Sequence, residues 1–553
     1  MDTEAEVQIV EGMINKPWEK WYPEKTFSIR LPQNSIYKLL EDTVEQFPQN
    51  IAIIFEDKST DYKTLKQQVD KLAGKWKEIG LKKGDRIGLM MANHPLYIIS
   101  YYAAQALGLI VVQVNPLYTF RELMKIVADS RLQFIVFDKL AEQTIGKVKE
   151  VYLFEQCFTT EDNHSEFITL QSLIENGTAL KEPEDIDPHE DVAVIQYTGG
   201  TSGEMKGAML THYNLTSNVI QSFAMYGEMM KKGEEIILTA TPLYHVYAMT
   251  SAMNLGIYIG GTILLFPKFD IQNVLDSVQK YRPTYFPGVP KMYNAFINYP
   301  SIEKYDLSCL RHCSCGSAPL PIEVIKRFEK LTGGAIGEGF GLSEASPSTH
   351  RNPPFAKRKV GSIGIPMPGT NCMIIDEYDT ALGTNSVGEL LIKGPQIMKG
   401  YWNSSEETKK ALQNGWLYTG DLAMMDEEGY FYIVGRKKEM IIVGGFNIYP
   451  QEVESVLYEH PDIQEAAVAS IPSGEFEETI KAFIVPKAGV IIDTEEIKGY
   501  CYSKLTPYKV PKEFEVIDEL PRNTVGKLLK RILVKEEIEK NNLHKEMELN
   551  GEQ

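Results

Sequence analysis

Cysteine is scarce in this chain, with 6 residues among 553. So few thiols over this length argue against a disulfide framework and predict a reducing compartment. Cys309, Cys313 and Cys315 lie close together, but their spacing lacks the Cys-x-x-Cys pairs typical of zinc sites, and only His312 is a further nearby ligand. We therefore interpret these residues as buried thiols.

Long apolar runs and an excess of positive charge are also lacking. No stretch reaches the roughly 18 apolar residues of a membrane span, and the acidic first residues lack the cationic flank of a secretory signal. The formal net charge of −18 argues against a non-specific nucleic-acid binder. We expect a cytoplasmic protein without a transmembrane segment or a nucleic-acid partner. Peripheral membrane contact and a homodimer both stay open.

Helical and strand patterns alternate along most of the chain. Residues 62–79 predict an amphipathic helix that ends at Gly80, and strands predicted at 86–91 and 109–114 flank a helix opened by Pro95. Further strands are predicted between 236 and 286, whereas residues 139–190 are expected to be an irregular, acidic connector. Repeated β–α units predict an α/β fold of largely parallel sheets covered by helices.

The pattern changes in the last third of the chain. Short alternating runs over residues 357–435 predict a β-rich subdomain, and a compact α+β segment follows. We therefore predict a large N-terminal domain at 1–435 and a small, mobile C-terminal domain at 436–553. The charged tail beyond Lys535 is expected to lack regular structure.

The most informative stretch is the loop YTGGTSGEMKG at residues 197–207. It follows an apolar strand predicted at 192–196 and precedes a helix predicted over 210–225. Its glycines allow backbone N–H groups to turn inward and form a concave anion site. Hydroxyl groups add donors, and Lys206 adds a positive charge suited to phosphate. No Gly-x-x-x-x-Gly-Lys-Ser/Thr register fits, so the loop predicts a phosphate site other than a Walker A motif; a plain flexible turn is the alternative.

Five further stretches carry residue types suited to nucleotide chemistry. They are SAPL at 317–320, GEGFGLSE at 337–344, GWLYTGD at 415–421, GRKKE at 435–439 and PRNTVGK at 521–527. In this order, and with the loop at 197–207, they resemble the adenylate-forming superfamily of acyl-CoA synthetases, peptide-synthetase adenylation domains and luciferases. NPLY at 115–118, PLYHVY at 242–247 and VPKMY at 289–293 resemble its bacterial long-chain fatty-acid–CoA ligases. The resemblance thus covers nearly the whole chain.

The resemblance implies an ATP-dependent fatty-acid–CoA ligase for medium- to long-chain acids, with Mg²⁺ as cofactor. In that chemistry a carboxylate oxygen attacks the α-phosphorus of ATP and pyrophosphate leaves. The thiolate of CoA then attacks the acyl-adenylate and releases AMP. Catalysis of the first step depends mainly on positioning and on positive charge.

The resemblance also implies which residues would form the nucleotide site. ATP or AMP would contact Thr198, Gly199, Gly200, Thr201, Ser202, Gly203, Lys206, Ser317, Ala318, Pro319, Gly339, Phe340, Gly341, Leu342, Ser343, Asp421, Arg436 and Lys527. Lys206, Glu344 and Lys527 are the predicted catalytic residues. Thr198 and Glu344 are the predicted Mg²⁺ ligands, because hard oxygen atoms suit that ion.

Individual roles follow from the same resemblance. Phe340 would stack on adenine, and Asp421 would accept hydrogen bonds from the ribose hydroxyls. Lys527 would bridge the attacking carboxylate and the α-phosphate. Taken alone, each has a commoner explanation: a core aromatic, a turn residue and a surface lysine. Only their shared order supports the functional interpretation.

Two further groups are implied outside the nucleotide site. His245, Tyr247, Ala248 and Met249 would line an acyl pocket, although a plain buried helix is the alternative. Lys438 would be the hinge about which the C-terminal domain rotates between the half-reactions. Rotation would replace Lys527 by a CoA tunnel at Gly444 and Gly445.

The chain departs from the family pattern without losing a catalytic group. Phe340 stands where tyrosine is common, and Ser317 and Ala248 stand where glycine is common. The main alternatives are a free-standing enzyme that adenylates acyl groups to load a carrier protein, and a non-catalytic acyl-CoA or nucleotide sensor. A luciferase-type oxygenase is disfavoured because nothing in the motifs implies oxygen chemistry.

Overall fold

The computed structural model describes residues 16–23, 29–199, 205–443, 446–473, 477–522 and 527–551, and omits side chains at 199, 442, 446, 472, 473, 477, 478 and 541–551. The helices are α1 Ile36–Gln46, α2 Tyr62–Ile79, α3 Pro95–Ala106, α4 Phe120–Ser130, α5 Glu142–Lys149, α6 Leu170–Glu175, α7 His212–Tyr226, α8 Val246–Ala248, α9 Leu255–Tyr258, α10 Ile271–Tyr281, α11 Pro290–Ile297, α12 Ile322–Thr332, α13 Ser405–Ala411, α14 Pro450–Tyr458, α15 Thr494–Lys504 and α16 Lys530–Gly551.

The strands of the first two thirds of the chain are β1 Ile51–Phe55, β2 Lys58–Asp61, β3 Arg86–Met90, β4 Ile110–Gln113, β5 Phe134–Phe137, β6 Gln156–Thr159, β7 Ile168–Thr169, β8 Val192–Gly199, β9 Met205–Thr211, β10 Ile236–Thr239, β11 Thr262–Leu265, β12 Tyr285–Gly288, β13 His312–Cys315, β14 Ala335–Gly341, β15 Ser348–Arg351 and β16 Ile365–Pro366. The remaining strands are β17 Asn371–Ile375, β18 Val387–Lys393, β19 Gly400–Tyr401, β20 Leu412–Gln413, β21 Trp416–Met425, β22 Phe431–Arg436, β23 Ile441–Val443, β24 Phe446–Ile448, β25 Ile463–Ser473, β26 Glu477–Pro486 and β27 Glu513–Val516.

Two large sheets form the body of the molecule within the described residues. One has the order β16-β15-β14-β13-β12-β10-β11-β1-β2, and the other has the order β19-β9-β8-β4-β3-β5-β6-β7. Their central strands pair in parallel, as in β3 with β4 and β12 with β13, and antiparallel strands lie towards the edges. This arrangement confirms the α/β fold class.

The core between the two sheets is continuous. It joins Ile53 and Ile263 of the first sheet to Ile87 and Val111 of the second. Between them lies α3, whose residues Leu96 to Ala106 are all buried. A helix that is apolar on every side must be covered by protein on every side, which explains why the two sheets enclose it.

Smaller units follow the two sheets. A sheet with the path β17-β18-β21-β20, joined by β22, matches the predicted β-rich subdomain. The C-terminal part has its own sheet, β25-β26-β27, and a separate core that includes Ile448, Val453 and Ile484. The chain therefore has a large N-terminal domain and a smaller C-terminal one, whereas the boundary at 435/436 stays a prediction.

Two local predictions were wrong. Residues 139–190 are not irregular but contain α5, β6, β7 and α6, with β6 extending the parallel sheet beside β5. These elements are too short to produce a clear period in sequence. The tail beyond Lys535 is not irregular either, because it lies in α16.

Candidate functional site

The loop at 197–207 joins two antiparallel strands. Thr198 in β8 is the register partner of Lys206 in β9, so the predicted order of strand, loop and helix was wrong. Helix α7 begins only at His212, where the Thr211 hydroxyl and the Asn214 side chain form a capping box. The residues flanking the loop therefore lie at the end of a β-hairpin and not at a helix N-terminus. Gly200, Thr201, Ser202 and Gly203 lie outside the described residues.

Lys206 is held at the start of β9. Its ammonium group donates to the Glu407 carboxylate in α13 and lies 5.3 Å from the centre of the Tyr401 ring. Hydrogen bonds from Lys206 and then Lys410 lower the pKa of Glu407 from 4.5 to about 2. Lys206 is thus a localised positive charge beside an aromatic face.

Glu344 lies close to the hairpin in a short 3₁₀ turn after β14. Its Oε1 accepts a hydrogen bond from the Tyr401 hydroxyl at 2.8 Å, and its backbone carbonyl accepts one from Met398 at 2.8 Å. Tyr401 belongs to β19, which pairs with β9. Tyr401 therefore connects Glu344 to Lys206. No predicted motif contains it, and only the pairing of β19 with β9 reveals its position.

Two of the predicted adenine-site stretches follow neighbouring parallel strands. Cys315 in β13 is the register partner of Glu338 in β14, so Ser317 and Phe340 come just after paired residues at the same sheet edge. Carboxyl ends of parallel strands are where α/β folds bind ligands. Ser317 has φ of 71°, a backbone conformation that favours glycine. This explains why glycine is common at this position in the family.

Among the predicted polar site residues that the structure describes, Asp421 is the most deeply buried. Only 2% of it is exposed, and its Oδ1 pairs with Nε of its register partner Arg436 at 2.7 Å. Its Oδ2 is buried and has no hydrogen-bond partner among the described residues. Burial raises the pKa of Asp421 from 3.8 to about 6, against the opposing charges of Arg436 and Lys527. An unsatisfied buried acceptor of this kind needs a donor.

Lys527 comes from the C-terminal domain and lies in the same electrostatic neighbourhood. Loss of water around its ammonium group and then the charge of Arg436 lower the pKa of Lys527, whereas Asp421, Glu439 and Glu344 oppose that shift. Part of Lys527 still keeps an exposed surface. Residues distant in sequence, Glu344, Asp421, Arg436 and Lys527, are thus brought together.

The predicted acyl-pocket residues lie on one interrupted helix. His245 precedes α8, which continues as a π-helix at Met249–Asn254 and then as α9. Burial lowers the pKa of His245 to about 4, and its Nε2 has no hydrogen-bond partner within the described part of the chain. His245 is therefore neutral. A π-helix of this kind is frequent at functional sites.

The acyl-pocket stretch contacts the loop after β13. A Cβ placed at Gly316 would lie 3.0 Å from the Tyr247 ring, so only glycine fits there without a shift. The Tyr247 hydroxyl also lies 3.0 Å from Oγ of Ser314. Ala248 and Met249 are fully buried, and Met249 Sδ accepts from the Gln113 side chain at 2.8 Å.

Lys438 is exposed in a 3₁₀ turn at 437–439 between β22 and β23. On one side, Lys437 pairs with Glu389 at 2.7 Å, and on the other Lys530 of α16 lies 3.6 Å from Glu439. The predicted CoA-tunnel residues Gly444 and Gly445 lie outside the described residues. A hinge role for Lys438 stays a prediction.

Comparison with known proteins identifies the family. The AMP-binding enzyme family matches residues 40–402, and the AMP-binding enzyme C-terminal domain matches residues 452–527. The chain belongs to the AMP-binding enzyme family.

Curated relatives resemble the chain over its whole length. It is 42% identical to a long-chain-fatty-acid–CoA ligase of Bacillus subtilis, over 96% of this chain and 99% of the relative. It is 37% identical to a long-chain-fatty-acid–CoA ligase of Escherichia coli, over 94% of this chain and 98% of the relative. Both relatives bear out the resemblance to bacterial fatty-acid–CoA ligases.

A solved structure has the same architecture. ATP-bound MatB from Rhodopseudomonas palustris superposes with a TM-score of 0.83 at 29% identity, covering 91% of this chain and 98% of MatB. Within the described residues, no helix combines the length and apolar character that crossing a membrane requires.

Proposed function

We propose that this chain is an AMP-forming fatty-acid–CoA ligase, which uses ATP to activate a medium- to long-chain carboxylate and transfers the acyl group to CoA. The observation that carries the proposal is the 42% identity to the Bacillus subtilis ligase over nearly the full length of both chains. Because ATP and CoA are cytosolic, the proposal puts the enzyme in the cytoplasm.

In the proposed nucleotide site, Asp421 accepts hydrogen bonds from the ribose. This role is supported by its buried Oδ2, which has no donor among the described residues. Arg436 neutralises the other oxygen at 2.7 Å and fixes the orientation of the carboxylate. Phe340 and the 317–319 segment flank adenine at the carboxyl edge of β13 and β14.

In the proposed phosphate site, residues 198–206, with Lys206 at the start of β9, hold the β- and γ-phosphates. In this structure the ammonium group of Lys206 donates a hydrogen bond to the Glu407 carboxylate. Bound phosphate would take the place of this carboxylate as the negatively charged partner of Lys206. The proposed Mg²⁺ ligands are the Glu344 carboxylate and the Thr198 hydroxyl, because this ion prefers oxygen donors of this kind. When bound, the ion would neutralise charge on the leaving pyrophosphate.

The chain's own residues would then carry out two steps. Lys527 orients the fatty carboxylate against the α-phosphate and offsets the charge that develops there. The carboxylate oxygen bonds to phosphorus as the bond to pyrophosphate breaks. After rotation about Lys438, the CoA thiolate attacks the acyl carbonyl, the bond to AMP breaks, and the acyl-CoA leaves. His245, being neutral, lines the acyl pocket without supplying charge.

The test is a pyrophosphate-release assay over fatty acids of graded chain length and over aryl and amino acids, with and without CoA. We expect release with medium- and long-chain fatty acids and consumption of CoA in equal amount. Release confined to amino or aryl acids would contradict the substrate class. Adenylate formation without CoA consumption would instead indicate an enzyme that loads a carrier protein.

A further inference from the structure

A small cavity lies near the first residues of β13 and β14, whereas the proposed adenine site lies past the other ends of these strands. Its lining includes Tyr226, Met229, Arg311, His312, Arg351 and Arg358. None of these belongs to the predicted nucleotide or acyl site. Three arginines around one cavity raise the question of which charges are already compensated.

Two of the three arginines are paired. Arg311 lies 3.4 Å from the Glu235 carboxylate, and Arg358 makes two contacts with Glu329, the shorter at 2.5 Å. Their charges are therefore balanced within the protein.

Arg351 is different. Only 3% of it is exposed, and among the described residues its electrostatic neighbours are tyrosines and include no carboxylate. Its Nη1 makes no hydrogen bond to any of them. The guanidinium carbon lies 4.9 Å from the centre of the Tyr226 ring, so the cation stacks on an aromatic face.

The Tyr226 hydroxyl is unsatisfied as well. Tyr226 is 2% exposed, and its hydroxyl has no hydrogen-bond partner in the described part of the chain. The Tyr285 hydroxyl lies beside both groups and interacts with each of them, and it also lies 3.1 Å from Oγ of Ser314. Burial raises the pKa of Tyr226 well above its usual value, so the phenol stays neutral and supplies no compensating charge.

Two buried donors that line one cavity therefore share the Tyr285 hydroxyl as a neighbour, and no carboxylate among the described residues balances the positive charge of Arg351. Leaving a buried charge without a counter-charge is strongly unfavourable. The missing partner is an anion with two acceptor atoms. A carboxylate has that form, and guanidinium groups bind it with well-defined geometry.

We propose that this cavity binds a carboxylate group, with one oxygen accepting from Nη1 of Arg351 and the other from the Tyr226 hydroxyl. The carboxylate has two sources. A free small carboxylate reaches the cavity from the solvent-exposed side formed by Arg311 and Met229.

The other source is the far carboxylate of a dicarboxylic substrate. The acyl pocket lies close by: Tyr247 of that pocket and Tyr285 both contact Oγ of Ser314, at 3.0 and 3.1 Å, and Tyr285 borders Tyr226 with ring centres 5.6 Å apart. This second source rests on the proposed function, whereas the first does not.

The direct test is calorimetric titration of acetate and of succinate into the full-length protein, with chloride at equal ionic strength as the blank. Wild type is expected to show saturable binding. Tyr226→Phe keeps the ring and removes one donor, so affinity should fall about tenfold, and Arg351→Met should abolish binding. Tyr281→Phe, which removes an exposed hydroxyl that donates to Asp57, is the matched control and should bind as wild type does.

Pyrophosphate release with decanoate and with decanedioate separates the two sources. If the dicarboxylic substrate is the source, Arg351→Met loses decanedioate turnover at least about tenfold and keeps decanoate turnover. If a free carboxylate is the source, the titration depends on Arg351 and Tyr226 while both turnover rates are unchanged. Two results overturn the proposal. One is carboxylate binding that is equal in wild type and in all variants. The other is that wild type binds no carboxylate and Arg351→Met does not lower decanedioate turnover.

The two proposals fail separately. A wild-type protein that activates no fatty acid would contradict the ligase assignment, while the acetate and succinate titration would still decide the carboxylate site. The unfolding temperature of each variant shows whether that variant is folded. If Arg351→Met does not fold, the titration of Tyr226→Phe still tests the proposal.

Discussion

Asp421 combines deep burial with an unsatisfied carboxylate oxygen, and both features favour a ligand. Asp421→Asn keeps the shape of the side chain but weakens it as an acceptor. If Oδ2 accepts from ribose, kcat/KM for ATP should fall about tenfold, the loss of one hydrogen bond to a charged group. Steady-state kinetics with varied ATP measure this. Asp379→Asn, in a turn with φ of 59° that suits asparagine, is the control and should leave kcat/KM unchanged.

Asp421→Asn also tests how the stability of the folded protein changes with pH. The folded-state pKa of Asp421 is raised from 3.8 to about 6, so the folded protein binds this proton more tightly than the unfolded chain. Ionised Asp421 lowers the free energy of unfolding. This loss of stability is absent below about pH 4, grows between the two pKa values and reaches its full size above the higher one. Asp421→Asn should therefore gain stability over wild type as pH rises through this window, on the order of 3 kcal/mol. Denaturant unfolding at several pH values tests this, and a gain that is independent of pH would contradict it.

At the scale of elements, the hairpin of β8 and β9 and the helix α13 together set the state of Lys206. In this structure the ammonium group of Lys206 donates a hydrogen bond to the Glu407 carboxylate. Glu407→Gln removes this competitor, so KM for ATP should fall by about two- to fivefold, the range of an exposed ion pair. Lys206→Ala should raise KM instead.

The neighbouring residue provides the control for that prediction. Glu406 lies on the same helix and pairs with Lys409 at 3.1 Å, away from Lys206. Glu406→Gln should leave KM for ATP unchanged. An equal effect of Glu406→Gln and Glu407→Gln would mean that helix charge, and not the pair with Lys206, determines the result.

This hairpin is also where sequence reasoning failed. The prediction placed residues up to 207 in a loop and began a helix at Leu210, but pairing of β9 with β8 and β19 makes residues 205–211 a strand. Strand formation depends on partners distant in sequence, which local patterns do not contain. By contrast, α2 has the predicted bounds, because its amphipathic period and the left-handed Gly80 are local signals.

At the scale of the whole molecule, the order of the motifs was enough to predict which distant residues share one site. The structure brings Glu344, Asp421, Arg436 and Lys527 within electrostatic range of one another. Tyr401 and Arg351 were not predicted. The contacts that make each of them important are with residues far away in the chain, and neither residue belongs to a motif that the sequence reveals.

Lys527 lies in the C-terminal part of the chain, and under the proposed function it is the residue by which domain position would control chemistry. Lys527→Ala should lower the rate of adenylate formation about a hundredfold or more, within the range of one preorganised charged group. The rate of thioester formation from supplied acyl-adenylate should be unchanged, because the rotated domain no longer presents Lys527. Single-turnover assays of each half-reaction measure this. Lys535→Ala, on the exposed face of α16, is the control, and equal loss in both half-reactions would contradict the assignment.

The central claim is that one chain converts a fatty acid, ATP and CoA into acyl-CoA, AMP and pyrophosphate. The most direct measurement is the product stoichiometry by mass spectrometry after incubation with palmitate, ATP, Mg²⁺ and CoA. Equal amounts of palmitoyl-CoA, AMP and pyrophosphate are predicted, with no ADP. Formation of ADP and phosphate, or of palmitoyl-adenylate that does not proceed to the thioester in the presence of CoA, would contradict the account.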